Sequence, residues 1–91
     1  MLQTISVKVY GKVQGVFFRQ STKEKANALG LTGWVKNQPD GSVHIIVSGQ
    51  TELLDKFAAW CKQGPPRAQV ENILIETLDT VQFDRFSIKY V

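Results

Sequence analysis

Ninety-one residues with an apolar share of 43% and a single cysteine leave room for one small core and no internal disulfide. The net charge of +3 and pI near 9.2 favour anionic partners, but lysine and arginine are scattered and never form a run, which argues against a polybasic tail. No apolar stretch approaches membrane-spanning length, and the start of the chain is too short and too polar for a signal peptide.

The elements follow in order. Ile5, Val7 and Val9 alternate with Ser6 and Lys8, a strand with one buried face. Gly11 and Gly15 break it. Ser21 and Glu24 have the spacing of a capping box, which predicts a helix starting near Ser21 and ending at Gly30, with Phe18, Thr22, Ala26 and Leu29 on its apolar side. Thr32 to Asn37 reads as a second strand, Pro39-Asp40-Gly41 as a turn, and Ser42 to Ser48 as a third strand, the two forming a hairpin. A second helix is predicted over Thr51 to Lys62, with Leu53, Leu54, Phe57, Ala58 and Cys61 on one face, stopped by Gly64-Pro65-Pro66. Val70 to Leu78 reads as a fourth strand. Asp79 to Asp84 is turn-prone, and Phe86, Ile88 and Tyr90 alternate in a last short strand.

This is the order β-α-β-β-α-β with an extra C-terminal strand. It predicts an α+β, ferredoxin-like split βαβ sandwich, with two helices on one face of an antiparallel-rich sheet. A helix joins the first two strands, so they run parallel and their carboxyl ends share one sheet edge. The Gly11–Arg19 loop leaves the first strand at that edge, and Asn37 closes the second there. Gln14, Gly15, Val16, Phe17 and Phe18 lead into the first helix, where consecutive N–H groups make a nest for an anion. Arg19 adds a planar, permanently charged fork that matches two phosphoryl oxygens.

GKVQGVFFR, Gly11 to Arg19, with GWVKNQPDGSV, Gly33 to Val43, resembles the acylphosphatases. That family shares a G-x-V-Q-G-V-x-F-R loop and a G-W/Y/F-x-x-N-x-x-x-G-x-V stretch, and both patterns are met here without a mismatch. The resemblance implies hydrolysis of a small-molecule acyl phosphate to a carboxylate and inorganic phosphate, with no metal or other cofactor. Carried over by residue, it makes Arg19 the phosphate-binding arginine, Asn37 the residue that positions the attacking water, and the Gln14 to Phe18 backbone the phosphate cradle.

The remaining residues read as structural. Ser21 and Thr22 suit capping better than nucleophilic attack. His44 lies on the strand face opposite Val43 and Ile45, exposed and inert, and a lone histidine builds no zinc site. Cys61 is packing, Trp34 is core or rim packing, and Phe17 and Phe18 split between loop and core. Asn37 alone would read as a turn residue. A nucleic-acid-binding module shares the topology but asks for aromatics on the central strands, where Ile45 and Val47 stand, so no nucleic-acid partner is expected. A non-catalytic phosphate-binding domain would use the same cradle, though an amide aimed at water serves turnover. The start at Met1 suggests a stand-alone protein over residues 1–91, and the expectation is a cytoplasmic monomer.

Overall fold

Alternation decides the sheet. Ile5, Val7 and Val9 are all buried, as are Val43, Ile45 and Val47, and the two sets lie directly opposite each other in the pairs Ile5–Val47, Val7–Ile45 and Val9–Val43. Each aliphatic side chain buried this way is worth about 1.5–3 kcal/mol relative to exposure.

The structure, a computed structural model, describes residues 1–90. Its elements are β1 (Leu2–Lys12), α1 (Phe18–Ala28), β2 (Thr32–Asn37), β3 (Val43–Gln50), α2 (Thr51–Gln63), β4 (Gln69–Leu78) and β5 (Phe86–Lys89). The five strands form one sheet in the order β4-β1-β3-β2-β5. β3 is antiparallel to both β1 and β2, so those two are parallel to each other across it. β4 is antiparallel to β1, and β5 lies parallel to β2 at the far edge. This is the ferredoxin-like α+β arrangement, and the extra strand is the edge strand β5. Both helices cover one face: Phe18 and Ala26 of α1 and Leu54, Phe57 and Cys61 of α2 share the core with the inward residues of the strands. Phe57 lies 6.4 Å from Phe86, joining α2 to β5.

The first helix begins earlier than the capping-box spacing predicts. Phe17 is its N-cap, in the left-handed region at φ 64° and ψ 23°, and no side chain caps it. The Ser21 N–H is already in the helical ladder, bonded to Phe17 O at 3.0 Å, so Ser21 does not serve as the cap. Thr22 is buried and its hydroxyl donates to Phe18 O at 2.7 Å. The change of handedness at Phe17, not a hydroxyl, turns the chain into the helix.

The turn-prone stretch after β4 must cross the sheet, because β4 and β5 are at opposite edges. It passes over the face that the helices leave open. There the Val81 N–H donates to Thr4 Oγ1 at 2.9 Å, and Val81 O accepts from Ser48 Oγ at 2.7 Å. These bonds satisfy two buried hydroxyls and tie the crossing to β1 and β3.

Two sequence readings change on this open face, and a third is decided between its alternatives. Ile45 and Val47 point toward the helices, so they say nothing about which side chains the open face presents; on β3 those are His44, Ile46 and Ser48. Of core and rim packing, Trp34 takes the second, half-buried on the open face. His44 is half-buried rather than exposed: its Nε2 is 3.0 Å from Ser6 Oγ, and its ring meets Trp34 edge-on with centroids 5.2 Å apart. Sequence alternation gives the side of the sheet but not how closely neighbouring strands crowd a ring.

Gly33, at φ +142°, lies so close to β3 that a Cβ would overlap the Ile46 carbonyl oxygen. Gly33→Ala is therefore expected to cost at least about 2 kcal/mol. Gly41→Ala, at φ +93° with open space around it, is expected to cost about 1 kcal/mol. Urea unfolding measures both, and equal costs would refute the close-approach argument.

Burial, then the charges of Lys8 and Lys36, hold the His44 imidazole below its ordinary value, against a smaller opposing pull from Glu76. The unfolded chain thus takes up this proton at a higher pH than the folded one. The contribution of neutral His44 is whole above the unfolded value near 6.5 and falls as pH drops from there to the lowered folded value. His44→Gln should remove that part of the slope in stability against pH. An unchanged slope would show that His44 titrates alike in both states.

Candidate functional site

The carboxyl ends of β1, β2 and β5 reach the same sheet edge because the three strands share one direction. Three pieces of chain meet there: the loop after β1, the end of β2, and the residues that close β5.

The loop has a defined backbone. Gly15 at φ 72° and Phe17 at φ 64° flank Val16, and Phe17 is the sole non-glycine residue with positive φ among the described residues. Alternation of hand along a chain turns successive N–H groups to one side. A left-handed non-glycine residue costs about 1–2 kcal/mol, a strain that concentrates at functional sites. Val16, 4% exposed, anchors the loop in the core. Phe17 and Phe18 split as expected: Phe17 faces solvent, whereas Phe18 is buried beside Trp60 with ring centroids 5.7 Å apart. The first turn of α1 carries no acidic residue and no side-chain cap, so its leading N–H groups keep their full attraction for an anion.

Arg19 lies in that first turn, half-buried, with its guanidinium carbon 4.9 Å from the centre of the Tyr90 ring. Stacking on a ring limits the rotamers of a long side chain and leaves the edge of its fork free for oxygen acceptors. Gly15, Phe17, Arg19, Asn37 and Tyr90 line one cavity of about 280 Å³. Phe18 also borders it, while Gln14 and Val16 support the loop from behind.

Asn37 is the most informative member. Its Oδ1 is buried and has no hydrogen-bond partner among the described residues. The turn that follows does not use it. There Asp40 Oδ1 accepts the Ser42 N–H at 2.9 Å and the Ser42 hydroxyl at 2.6 Å, which also holds the Asp40 carboxyl below the usual carboxylate range. The Gln38 N–H closes the turn on Ser42 O at 2.8 Å. An unsatisfied buried amide oxygen costs about 1–3 kcal/mol, and this one belongs to a residue that lines the cavity, with its acceptor capacity unused.

Gln14 has a different place from the one expected of a cradle residue alone. Its amide donates to Gln38 O at 2.8 Å and to Ser42 O at 2.9 Å. The loop that leads to Arg19 is thereby clamped to the turn that follows Asn37. Sequence reading missed this brace and also missed Tyr90. The alternation of Phe86, Ile88 and Tyr90 signals a strand, but not that it docks parallel beside β2.

Among the described residues no three histidine, cysteine, aspartate or glutamate side chains gather closely enough to hold a metal ion. His44 is on the opposite face of the sheet from the core. Cys61 is fully buried in α2, and burial pushes its thiol far up, so it is packing and not a nucleophile.

Loss of the Gln14 clamp should leave the fold intact and separate Asn37 from Arg19. Gln14→Ala is expected to lower kcat by about 10–100-fold, because misplacement on the ångström scale costs about 10². Affinity for inorganic phosphate should change less than threefold. A variant with normal kcat would show the clamp to be dispensable.

Comparison with known proteins identifies the family. The acylphosphatase family model matches residues 5–88. An acylphosphatase of Pelotomaculum thermopropionicum is 47% identical over 85 residues, covering 92% of each chain. Among solved structures, an acylphosphatase from Coxiella burnetii superposes with a TM-score of 0.94 at 40% identity, covering 97% of this chain and 93% of its own. The Bacillus subtilis acylphosphatase gives 0.93 at 37% identity, covering 99% of this chain and all of its own. Sequence likeness and backbone likeness thus extend across nearly the whole length, cradle and hairpin included, and the chain belongs to the acylphosphatase family.

Proposed function

We propose that Arg19, Asn37 and the Gln14–Phe18 backbone carry out, in this chain, the hydrolysis of acyl phosphates that is the family's reaction. The observation that carries the assignment is the buried, unpartnered Asn37 Oδ1 in the same cavity as Arg19 and the loop.

The phosphoryl group is held by the loop N–H groups and the Arg19 fork, which neutralise charge on its non-bridging oxygens. Asn37 Oδ1 accepts a hydrogen from water and aims the water oxygen at phosphorus. The new O–P bond forms as the bond from phosphorus to the acyl oxygen breaks, and the departing carboxylate keeps the electron pair. A carboxylate is a good leaving group, so positioning and charge stabilisation supply most of the rate. Asn37 does not itself take the proton, because an amide has no useful pKa. The proton passes to a phosphate oxygen of the substrate. Tyr90 acts on this chemistry through Arg19, by holding the fork against its ring.

The reading includes a metal-independent, single-domain monomer in the cytoplasm, acting on a small-molecule substrate. The free, buried thiol of Cys61 suits a reducing compartment. No helix of the described residues is long and apolar enough to cross a membrane.

The test is hydrolysis of a small aromatic acyl phosphate with and without a chelator. Activity should survive the chelator. Arg19→Ala and Asn37→Ala should each lose at least about 10²–10³ in kcat/KM, the usual cost of one transition-state donor. Arg19→Ala should also weaken inhibition by inorganic phosphate, whereas Asn37→Ala should leave it nearly unchanged. Near-normal turnover in either folded variant refutes its role. A folded wild type that binds phosphate without turnover would make the chain a phosphate-binding domain.

A further inference from the structure

The register of the sheet assembles a second cationic feature, on the face away from the core. Lys8 of β1 stands directly opposite His44 of β3, His44 opposite Lys36 of β2, and Lys36 opposite Lys89 of β5. Three lysines and a histidine therefore form a single row at right angles to four strands, about 14 Å long at a strand spacing of about 4.8 Å. Like charges placed directly opposite each other across strands are destabilising. The row works against the fold, and the active site does not use it. Three carboxylates oppose the row: Glu76, paired with Ser6, Asp40, which borders a cavity with Lys8 and His44, and Asp84, which borders the groove with Trp34 and Lys89.

An aromatic ring lies beside the row. Trp34 has Lys89 Nζ 4.5 Å and Lys36 Nζ 5.7 Å from its ring centroid, with the His44 ring at its edge. A groove of about 270 Å³ runs along Trp34, bordered by Phe83, Asp84, Arg85, Ser87 and Lys89. Neither helix covers this face, and the crossing at Val81 occupies the end marked by Thr4 and Ser48.

We infer that the open sheet face binds a single strand of nucleic acid, laid across β1, β3, β2 and β5 with its phosphates on Lys8, Lys36 and Lys89 and a base stacked at Trp34. In the free protein the Lys36 and Lys89 ammonium groups rest over the Trp34 ring; phosphates of a linear polyanion draw these flexible side chains off the ring and leave its face to a base. RNA-binding four-stranded sheets stack unpaired bases on aromatics of their open face, and this five-stranded sheet presents Trp34 there. The inference is independent of acyl phosphate hydrolysis, which takes place at the carboxyl edge on the helix-covered side.

The test is fluorescence anisotropy of labelled 15-mer oligouridylate and oligothymidylate with the full chain at low and moderate salt. Binding should weaken with salt on a log–log slope near −2, at about 0.7 for each of three phosphates. The triple variant Lys8→Gln, Lys36→Gln, Lys89→Gln should flatten that slope and lose about tenfold or more in affinity at low salt, yet unfold at a higher temperature because the like-charge row is gone. Trp34→Leu should lose about fivefold or more. In a Trp60→Phe background, where Trp34 is the sole indole, its emission should be quenched by the oligonucleotide. Arg19→Ala, and inorganic phosphate compared with chloride at matched ionic strength, should leave binding intact, and the lysine variants should keep acyl phosphate turnover. The inference is overturned by absence of binding at low salt or by displacement with phosphate beyond that by chloride at the same ionic strength. Affinity indifferent to Trp34→Leu would reduce the face to a bare cationic patch, and tighter binding to phosphatidylserine vesicles would make it a lipid surface.

Discussion

The position of β3 between β1 and β2 is the constraint on which the rest depends. Because β3 is antiparallel to both, its neighbours point the same way and their carboxyl ends lie at one edge. The anion loop that ends β1 and the asparagine that ends β2 are thus brought together by hydrogen-bonded register rather than by closeness in sequence. β5 adds a third carboxyl end in the same direction, which is how Tyr90 comes to lie against Arg19. Helices on one face hold this arrangement by burying the inward aliphatic set, so the geometry of the site inherits the rigidity of the core.

Within that frame, duties are separated. The hairpin turn is closed by Asp40 and by backbone bonds between Gln38 and Ser42, which leaves the Asn37 side chain free of turn work. Gln14 spans the two loops and makes one unit of them. A short polar residue before a turn would normally satisfy itself on nearby backbone. Here other residues do that work, and the buried oxygen is kept for the cavity. The strained Phe17 belongs to the same pattern, in which local stability is given up to set N–H groups in place.

The two faces of the sheet carry positive charge in different ways. On the helix side the N-terminal dipole of α1 and one guanidinium border a concave site. On the open side lysine side chains line up across strands, where they repel one another and add to burial in lowering the proton affinity of His44. The helix-side cavity gathers its polar groups at one sheet edge, whereas the open side spreads its charges across four strands beside a groove along Trp34.

Much of this was legible in the residues. Alternation in Ile5–Val9 and Val43–Val47, the Pro39-Asp40-Gly41 turn and the apolar helix faces gave element order and fold class, and the two glycine-bearing motifs pointed to Arg19, Asn37 and the Gln14–Phe18 loop. These are local signals, set by backbone conformation and side-chain period within a few residues. The helix start at Phe17, the clamp made by Gln14, the arrival of Tyr90 and the cationic row through Lys8, His44, Lys36 and Lys89 were not legible. Each depends on which strand lies beside which, and in what register. A shift of two residues in any pairing would keep every face assignment and dissolve the row. By itself the sequence determined which residues face inward and where the chain turns; only the tertiary structure decided what those residues meet, because strand order and register are set by the packing of the whole sheet.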